Sequence, residues 1–353
     1  MDSMPTVDPC LSQYPGSPER PGAAAVLAAA LLGLVVAGCE RTIPLQSAEY
    51  YVFGTRVEVQ VRDTEETTAQ RAFERLGRDF SRMHDEWHPW NPGALATINR
   101  ELPDGGWVRA TPDIIKLLEA SQEMEERSGG RFNAGLGALV RLWGFHTSTY
   151  PITTPPPEDE AIGAIMARRP SARDVSIDGE QIRSSNRAVR LDFSGIAKGL
   201  AVSQACDRLS EFRITDAMVN AGGDVMVCGP TDQPWQVGIR DPSGGVIGAV
   251  EVSQPVALFT SGNYQRFGEW EGERYAHIID PFSGRPVDSV MQATVIHSDP
   301  LVADAAATAL VVAGDELWDS VAASMGVDQA LVIDEEGTIR TTEAAAYLLD
   351  GGQ

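Results

Sequence analysis

The sequence predicts an α+β fold in which mixed, largely antiparallel sheets pack against helices. Short apolar stretches bounded by turn residues recur along the chain, and helical patterns interrupt them without the regular β–α alternation of a parallel sheet. Within residues 51–61, Val57, Val59 and Val61 alternate with polar neighbours, which is typical of a half-buried strand. Within residues 67–83, apolar residues recur instead at the spacing of a helix.

The remaining elements follow from the same two patterns and from turn residues. Thr111 is a predicted N-cap, Pro112 occupies the first turn of a helix, and Ser128-Gly129-Gly130 ends it. A proline-rich stretch over 150–158 is expected to be a surface loop. The later elements are a hairpin over 175–185, a helix over 194–212, two strands around a glycine turn over 216–229, strands over 235–242, 248–262, 274–281 and 293–299, and a helix of small residues over 303–314.

Composition restricts the possible partners. The chain has 353 residues and a formal net charge of −22 at pH 7. Binding to nucleic acid needs a basic surface, so this charge argues against a nucleic-acid partner. An anionic substrate would have to be met by a bound cation or by local basic groups.

The N-terminus resembles a bacterial lipoprotein signal. Residues 21–38 carry no charge, follow Arg20 and end in small residues directly before Cys39. We therefore expect residues 1–38 to be a signal peptide, Cys39 to be lipidated, residues 39–50 to be a tether and residues 51–348 to form the functional domain. Such a protein would be lipid-anchored to a membrane of the bacterial cell envelope and face the periplasm. A plain transmembrane anchor is the alternative, because the apolar segment is just long enough to span a bilayer.

Two cysteines, Cys206 and Cys228, remain in the expected domain. They could pair in an oxidising compartment. The sequence favours free, buried thiols, one in a helix and one in a strand. No spacing typical of a metal-binding cysteine site is present, and the His84-Asp85-Glu86-Trp87-His88 stretch departs from the zinc-protease pattern.

Asp304 and Thr308 are the strongest sign of a metal site. They are four residues apart in a predicted helix, so a carboxylate and a hydroxyl face the same side. Both are the oxygen ligands that Mg²⁺ prefers. A hydrogen bond between the two on a small-residue packing face would explain the pattern equally well.

Three further motifs contain groups suited to binding an anionic ligand. Asp192 is predicted at a strand end and Lys198 in the following helix, with Gly195 between them, where its carbonyl could reach a metal. The pair Gly222-Gly223 marks a tight turn or a close approach of the backbone. His277 could serve as a general base, although a strand histidine bonded to a neighbour is the more common case.

The order of these motifs is more specific than any one of them. The series FGT, PGALATIN, LVRLWGF, LDFSGIAKG, VNAGGDV, VGIRDP, FTSGNY, HIIDPFSGRPV and ADAAATAL resembles the ApbE family of FAD:protein FMN transferases. The resemblance runs from about Tyr51 to about Leu348. It implies an ApbE-like, T-fold-like architecture and a Mg²⁺-dependent transfer of FMN from FAD to a Ser or Thr hydroxyl of an acceptor protein, with release of AMP. It also suggests a membrane redox subunit as the acceptor.

The resemblance implies which residues contact FAD. Phe53 lies where the family usually has a methionine, and Asp192 and Lys198 match FAD-contacting positions. His277 would lie beside the phosphates and accept the proton of the incoming hydroxyl. A flavin-contacting segment is matched by Ala138, Leu139 and Val140.

The resemblance also implies a metal site. The carbonyls of Gly195 and Ala307 and the side chains of Asp304 and Thr308 would hold Mg²⁺, and Asp304 would be essential for catalysis. Asn263 is a departure, because an aspartate is commoner at that position. Two other functions use the same site: a Mg²⁺-dependent FAD pyrophosphatase, in which water replaces the acceptor, and a non-enzymatic FAD-binding lipoprotein.

Overall fold

The computed structural model describes residues 45–264 and 266–350. The expected signal peptide, Cys39 and the first half of the tether lie outside the described residues. Within the described ranges, no helix is both long enough and apolar enough to cross a bilayer.

The described residues confirm the predicted α+β class, with helices packed on antiparallel sheets. The largest sheet has eight strands in the order β1-β2-β6-β7-β10-β13-β14-β15, and every neighbouring pair in it is antiparallel. The strands are β1 (Gln46–Val52), β2 (Thr55–Val61), β3 (Val108–Arg109), β4 (Val175–Asp178), β5 (Gln181–Ser184), β6 (Ala217–Ala221), β7 (Asp224–Val227), β8 (Trp235–Arg240), β9 (Val246–Val252), β10 (Val256–Gly262), β11 (Phe267–Trp270), β12 (Glu273–Ala276), β13 (Val290–His297), β14 (Gln329–Asp334) and β15 (Ile339–Thr341).

The described helices are α1 (Glu66–Trp87), α2 (Ala94–Glu101), α3 (Pro112–Arg127), α4 (Gly137–Leu142), α5 (Asp159–Met166), α6 (Ala197–Glu211), α7 (Pro300–Ser324) and α8 (Tyr347–Asp350). Of these, α1, α2, α3, α6 and α7 cover one face of the sheet. Val57, Val59 and Val61 point towards these helices, and the apolar residues of α1 meet them in one large core. Burial of this apolar surface is the main force that holds the helices on the sheet.

The hairpin of β8 and β9 covers part of the other face. Trp235, Val237 and Ile239 pack there against Val225 and Val227 of β7 in a second core. Successive side chains of β7 point to opposite faces of the sheet, so Met226 lies in the first core and Val225 and Val227 lie in the second. A third, smaller core forms around α4 and α5.

Several predicted elements are confirmed. Thr111 caps α3 by accepting a hydrogen bond from the N–H of Ile114, and the 175–185 stretch is the β4–β5 hairpin. Gly222 and Gly223 form the two-residue turn between β6 and β7, and both have positive φ angles.

Some of the predicted strand bounds differ from the structure. The single strand expected over 51–61 is two strands, because Phe53 and Gly54 adopt positive φ angles of 55° and 69° and reverse the chain. The strand β1 begins at Gln46, so residues 46–50 belong to the sheet and not to the tether. The stretch 248–262, expected as one strand, is divided between β9 and β10.

The prediction of free thiols is wrong. Cys206 of α6 and Cys228, directly after β7, form a disulfide with their Cα atoms 5.1 Å apart. The helix packs across β6 and β7, and this packing places the two side chains opposite each other. Periodicity along the sequence gives no information on that distance.

Candidate functional site

A cavity of about 1110 Å³ lies where the hairpin turns of the large sheet meet α6 and α7. This volume is slightly above the usual range for small-molecule sites and is large enough for a dinucleotide. Eight of the residues predicted from the sequence line it: Phe53, Val140, Asp192, Gly195, Lys198, His277, Asp304 and Thr308.

The two stretches predicted to share a metal lie side by side. A Cβ placed on Gly195 would be 3.2 Å from the hydroxyl oxygen of Thr308, so the backbone at Gly195 faces that side chain directly. Asp304, one turn earlier in α7, is 3% exposed and accepts a hydrogen bond of 2.8 Å from the N–H of Gly199. The hydroxyl of Ser261 lies 3.0 Å from that of Thr308. A carboxylate and two hydroxyls thus converge beside the backbone of Gly195 at one corner of the cavity.

This donor set fits Mg²⁺, which takes oxygen ligands and is commonly bound by one or two carboxylates. Burial raises the pKa of Asp304, while the charge of Lys198 and the N–H of Gly199 act in the opposite direction. A buried carboxylate of this kind gains most from a cation placed beside it.

The other predicted residues lie close to the cavity without lining it. Ala307 is fully buried in the large core, one residue from Thr308. Leu139 is fully buried in the third core, and Ala138 is half-buried. Both belong to α4, which contributes Val140 to the lining of the cavity. The side chain of Leu139 therefore holds α4 in place.

Lys198 is fixed by an ion pair that the sequence did not indicate. Its ammonium group contacts the carboxylate of Asp224, the first residue of β7. The other oxygen of Asp224 accepts a hydrogen bond of 2.8 Å from the N–H of Thr260. Burial lowers the pKa of Lys198 and the charge of Asp304 raises it. Asp224 gives the charged form a direct partner, so Lys198 stays within reach of an anion in the cavity.

Asp192 is held by His146, a second partner that the sequence did not indicate. Its Oδ2 lies 3.3 Å from Nε2 of His146, and its Oδ1 accepts a hydrogen bond from the N–H of Ser194. The indole ring of Trp90 stacks on His146 with centroids 4.7 Å apart. Burial alone would raise the pKa of Asp192, but the hydrogen bond and charge of His146 and the N–H of Ser194 lower it.

His277 follows β12 directly and is positioned by the backbone. Its Nδ1 lies 3.1 Å from the carbonyl oxygen of Arg266. A carbonyl can only accept, so Nδ1 carries the proton and Nε2 has the free lone pair. Burial, together with the charge of Arg266, lowers the pKa of His277 to about 4. The imidazole is therefore neutral at physiological pH and able to accept a proton at Nε2.

An aromatic wall forms a further part of the cavity. Trp87 stacks on Phe53 with centroids 6.1 Å apart, and Nδ1 of His84 accepts a hydrogen bond of 3.2 Å from the N–H of Phe53. These contacts hold Phe53 at a positive φ, which a bulky residue rarely adopts. The sequence contains a signal for this wall apart from the zinc pattern, because His84 and Trp87 are three residues apart and share one face of α1.

Asn263 has a structural part in this region. Its side-chain amide donates to the carbonyl of Val290, and its N–H donates to the carbonyl of Met291. A carboxylate at this position could not donate the first of these bonds. The side chain ties the end of β10 to β13 and is not among the residues that line the cavity.

The cavity wall is cationic in spite of the acidic chain. Five of its described residues are cationic and three are acidic, so an anionic ligand is met by a local excess of positive charge. The cationic residues are Arg56, Arg131, Lys198, Arg240 and Arg266, and the acidic ones are Asp192, Asp224 and Asp304.

A large aromatic wall, a cationic surface and an oxygen-lined corner define a site for a nucleotide-like ligand with phosphate groups. Comparison with known proteins identifies the class more closely. A sequence model of the ApbE family matches residues 53–331, and the chain belongs to this family.

Relatives and solved structures agree with that assignment. The FAD:protein FMN transferase of Rhodobacter capsulatus is 41% identical over 333 residues, which cover 91% of this chain and 62% of the relative. The chain thus spans less than two thirds of that protein, whereas its match to the FAD:protein FMN transferase of Vibrio cholerae, at 26% identity, covers 89% of this chain and 95% of the relative.

Two crystal structures share the fold. That of the ApbE protein of Thermotoga maritima has a TM-score of 0.78 at 28% identity and covers 86% of this chain and 99% of its own. That of the apo flavinyl transferase ApbE of Pseudomonas stutzeri has a TM-score of 0.77 at 26% identity and covers 88% and 98%.

Proposed function

We propose that this chain transfers FMN from FAD to a Ser or Thr hydroxyl of an acceptor protein and releases AMP. The observation that carries the proposal is the meeting of Gly195 with Asp304 and Thr308 at one corner of a dinucleotide-sized cavity. Lys198 and His277 line the same cavity. The names of the relatives, which are FAD:protein FMN transferases, support the same reaction.

Mg²⁺ would be held by oxygen ligands from both stretches. The carboxylate of Asp304, the hydroxyl of Thr308 and the carbonyls of Gly195 and Ala307 are the proposed ligands. When bound, the ion would offset the negative charge of the FAD pyrophosphate. The half-buried Lys198 adds positive charge that is already in place, because Asp224 fixes its position.

The chain's own groups account for the proton transfer. The acceptor oxygen forms a bond to the phosphorus on the FMN side, and the bond from that phosphorus to the AMP oxygen breaks. Nε2 of His277 takes the hydroxyl proton, since Nδ1 is engaged by the carbonyl of Arg266. Fixed charges and positioned groups supply most of the catalysis in reactions of this kind.

The location of the protein is part of the proposal. Lipidation of Cys39 would keep the domain at a membrane of the cell envelope, where a membrane redox subunit could serve as acceptor. The disulfide between Cys206 and Cys228 supports an oxidising compartment, since disulfides are rare in the cytosol. Replacement Cys39→Ser should abolish the incorporation of labelled fatty acid into the protein.

The test follows the fate of the flavin. The purified protein is incubated with FAD, Mg²⁺ and the host's membrane proteins, and protein-bound and free flavin are separated and quantified by mass spectrometry. A covalent FMN adduct on a serine or threonine is the expected result. Release of free FMN and AMP alone would identify a pyrophosphatase, and intact FAD in the presence of Mg²⁺ would identify a binding protein.

A further inference from the structure

The cavity extends beyond the predicted site residues to the strand β8. This strand pairs with β9 along one edge, and among the described residues no strand pairs with its other edge. The cavity is lined on this side by Gln236, Val237, Gly238 and Arg240. Beyond β9, the carbonyl of Leu348 packs directly against Gly248. The unpaired edge of β8 therefore borders the cavity, whereas the far side of β9 is covered by α8.

The backbone groups at this edge can be assigned. The N–H of Asp241 donates across the hairpin to the carbonyl of Gly245, whereas the carbonyl of Arg240 accepts from Nε2 of Gln292, outside the hairpin. The β-bulge near the end of the hairpin places its extra residue in β9. The alternation of backbone groups along β8 is therefore not interrupted. Because backbone groups alternate along a strand, those of Gln236 and Gly238 also point away from β9.

The course of β8 places this edge at the site. Nε1 of Trp235 donates to Asp216, directly before β6, and the carbonyl of Arg240 meets Gln292 of β13. The strand β8 therefore runs across one face of the large sheet, starting near β6, passing over β7 and β10, and ending near β13. A chain laid along its free edge would pass the strand ends that carry Asp224 and Ser261.

We propose that the free edge of β8 binds the acceptor protein as an extended segment, which adds a third strand to the β8–β9 sheet and brings its hydroxyl to the cavity. This inference rests on the proposed transferase function. Main-chain hydrogen bonds would supply affinity without demanding one sequence. The groups left free at this edge are those of Gln236 and Gly238 and the N–H of Arg240, because Gln292 takes the carbonyl of Arg240, and this stretch matches a segment of about 13 Å. The charged side chains beside this edge include the cation Arg240 and the carboxylate Asp224, which Lys198 pairs, and this balance suits a segment of little net charge.

The main test removes one edge donor. In Gly238→Pro the N–H that faces the acceptor is lost, while the ladder to β9 keeps its own bonds. Ala249→Pro is the matched control, because Ala249 is the cross-strand partner of Gly238, is exposed, and does not line the cavity. Each protein receives FAD, Mg²⁺ and a library of short peptides with a central threonine. Peptide-bound and free FMN are then measured, and FAD binding is checked by calorimetry.

Gly238→Pro is expected to bind FAD and to lower the ratio of peptide-bound to free FMN by about tenfold or more, while Ala249→Pro keeps the wild-type ratio. A second measurement uses only the wild-type protein. The best peptide of the library is made with one backbone N-methyl group at each position in turn. Loss of transfer at every second position is expected, since only alternate N–H groups of an added strand face β8.

Other outcomes overturn the inference. Transfer by Gly238→Pro at the wild-type ratio, or N-methyl effects without a period of two, would show that the acceptor binds elsewhere. If the wild type releases FMN but modifies neither the peptides nor the host's membrane proteins, the transferase function fails, and the docking edge fails with it.

Discussion

Reduction of the disulfide between Cys206 and Cys228 should destabilise the domain by about 3 kcal/mol. The bond joins residues 22 positions apart. Opening a loop of this length returns conformational entropy of the unfolded chain that corresponds to about 3 kcal/mol at 25 °C. The bond ties α6 to the end of β7, the two elements that carry Lys198 and Asp224. A loss of stability should therefore be accompanied by weaker FAD binding.

Urea unfolding with and without dithiothreitol measures the effect. With an m-value of about 3 kcal/mol/M, the midpoint should fall by about 1 M. The double replacement of Cys206 and Cys228 by alanine is the control, because its midpoint should be low from the start and should not respond to dithiothreitol. Equal midpoints for the oxidised and reduced wild type, or two free thiols in the untreated domain, would refute the reasoning.

Three further predictions concern the cavity. Asp304→Asn keeps an oxygen that accepts from the N–H of Gly199 but removes the charge, so Mg²⁺ binding, measured by calorimetry, and metal-dependent turnover should both be lost. Normal Mg²⁺ affinity in this variant would show that Asp304 is not a ligand of the metal. In an NMR titration, His277 should stay neutral down to about pH 4, because its native pKa is lowered to about 4 from an ordinary value of 6.5. The unfolded chain binds the proton first, so the stability due to this histidine is present above about pH 6.5 and declines as the pH falls towards 4. Gly222→Ala should destabilise more than Gly223→Ala, because its Cβ would overlap the side chain of Thr55, whereas the space at Gly223 is open; equal thermal shifts would contradict this.

The sequence was sufficient for those elements whose signal is local. The alternation of Val57, Val59 and Val61 predicts a strand buried on one face, and Thr111 with Pro112 predicts the start of α3. The reversal at Phe53 was missed because a phenylalanine at positive φ is not a usual turn residue. Contacts with His84 and Trp87 hold it there, and these contacts depend on the packing of α1 against the hairpin.

The site was partly predictable for the same reason. Asp304 and Thr308 share a helix face, so their spacing indicated a common function, and the resemblance to a known family gave specific roles to Gly195 and His277, which their motifs had already marked as candidates. The partners of these residues were not predictable. Asp224 is 26 residues from Lys198, and His146 is 46 residues from Asp192. Such pairs are brought together only by the sheet order and by the packing of helices on it.

Diffraction from a crystal of this protein soaked with FAD and Mn²⁺ is the most direct test of the account. Anomalous scattering locates the metal without reference to the flavin. We expect one peak in contact with the carboxylate of Asp304, the hydroxyl of Thr308 and the carbonyl of Gly195, with the FAD pyrophosphate beside it. A metal bound elsewhere, or a flavin outside this cavity, would contradict the proposed site and the reaction built on it.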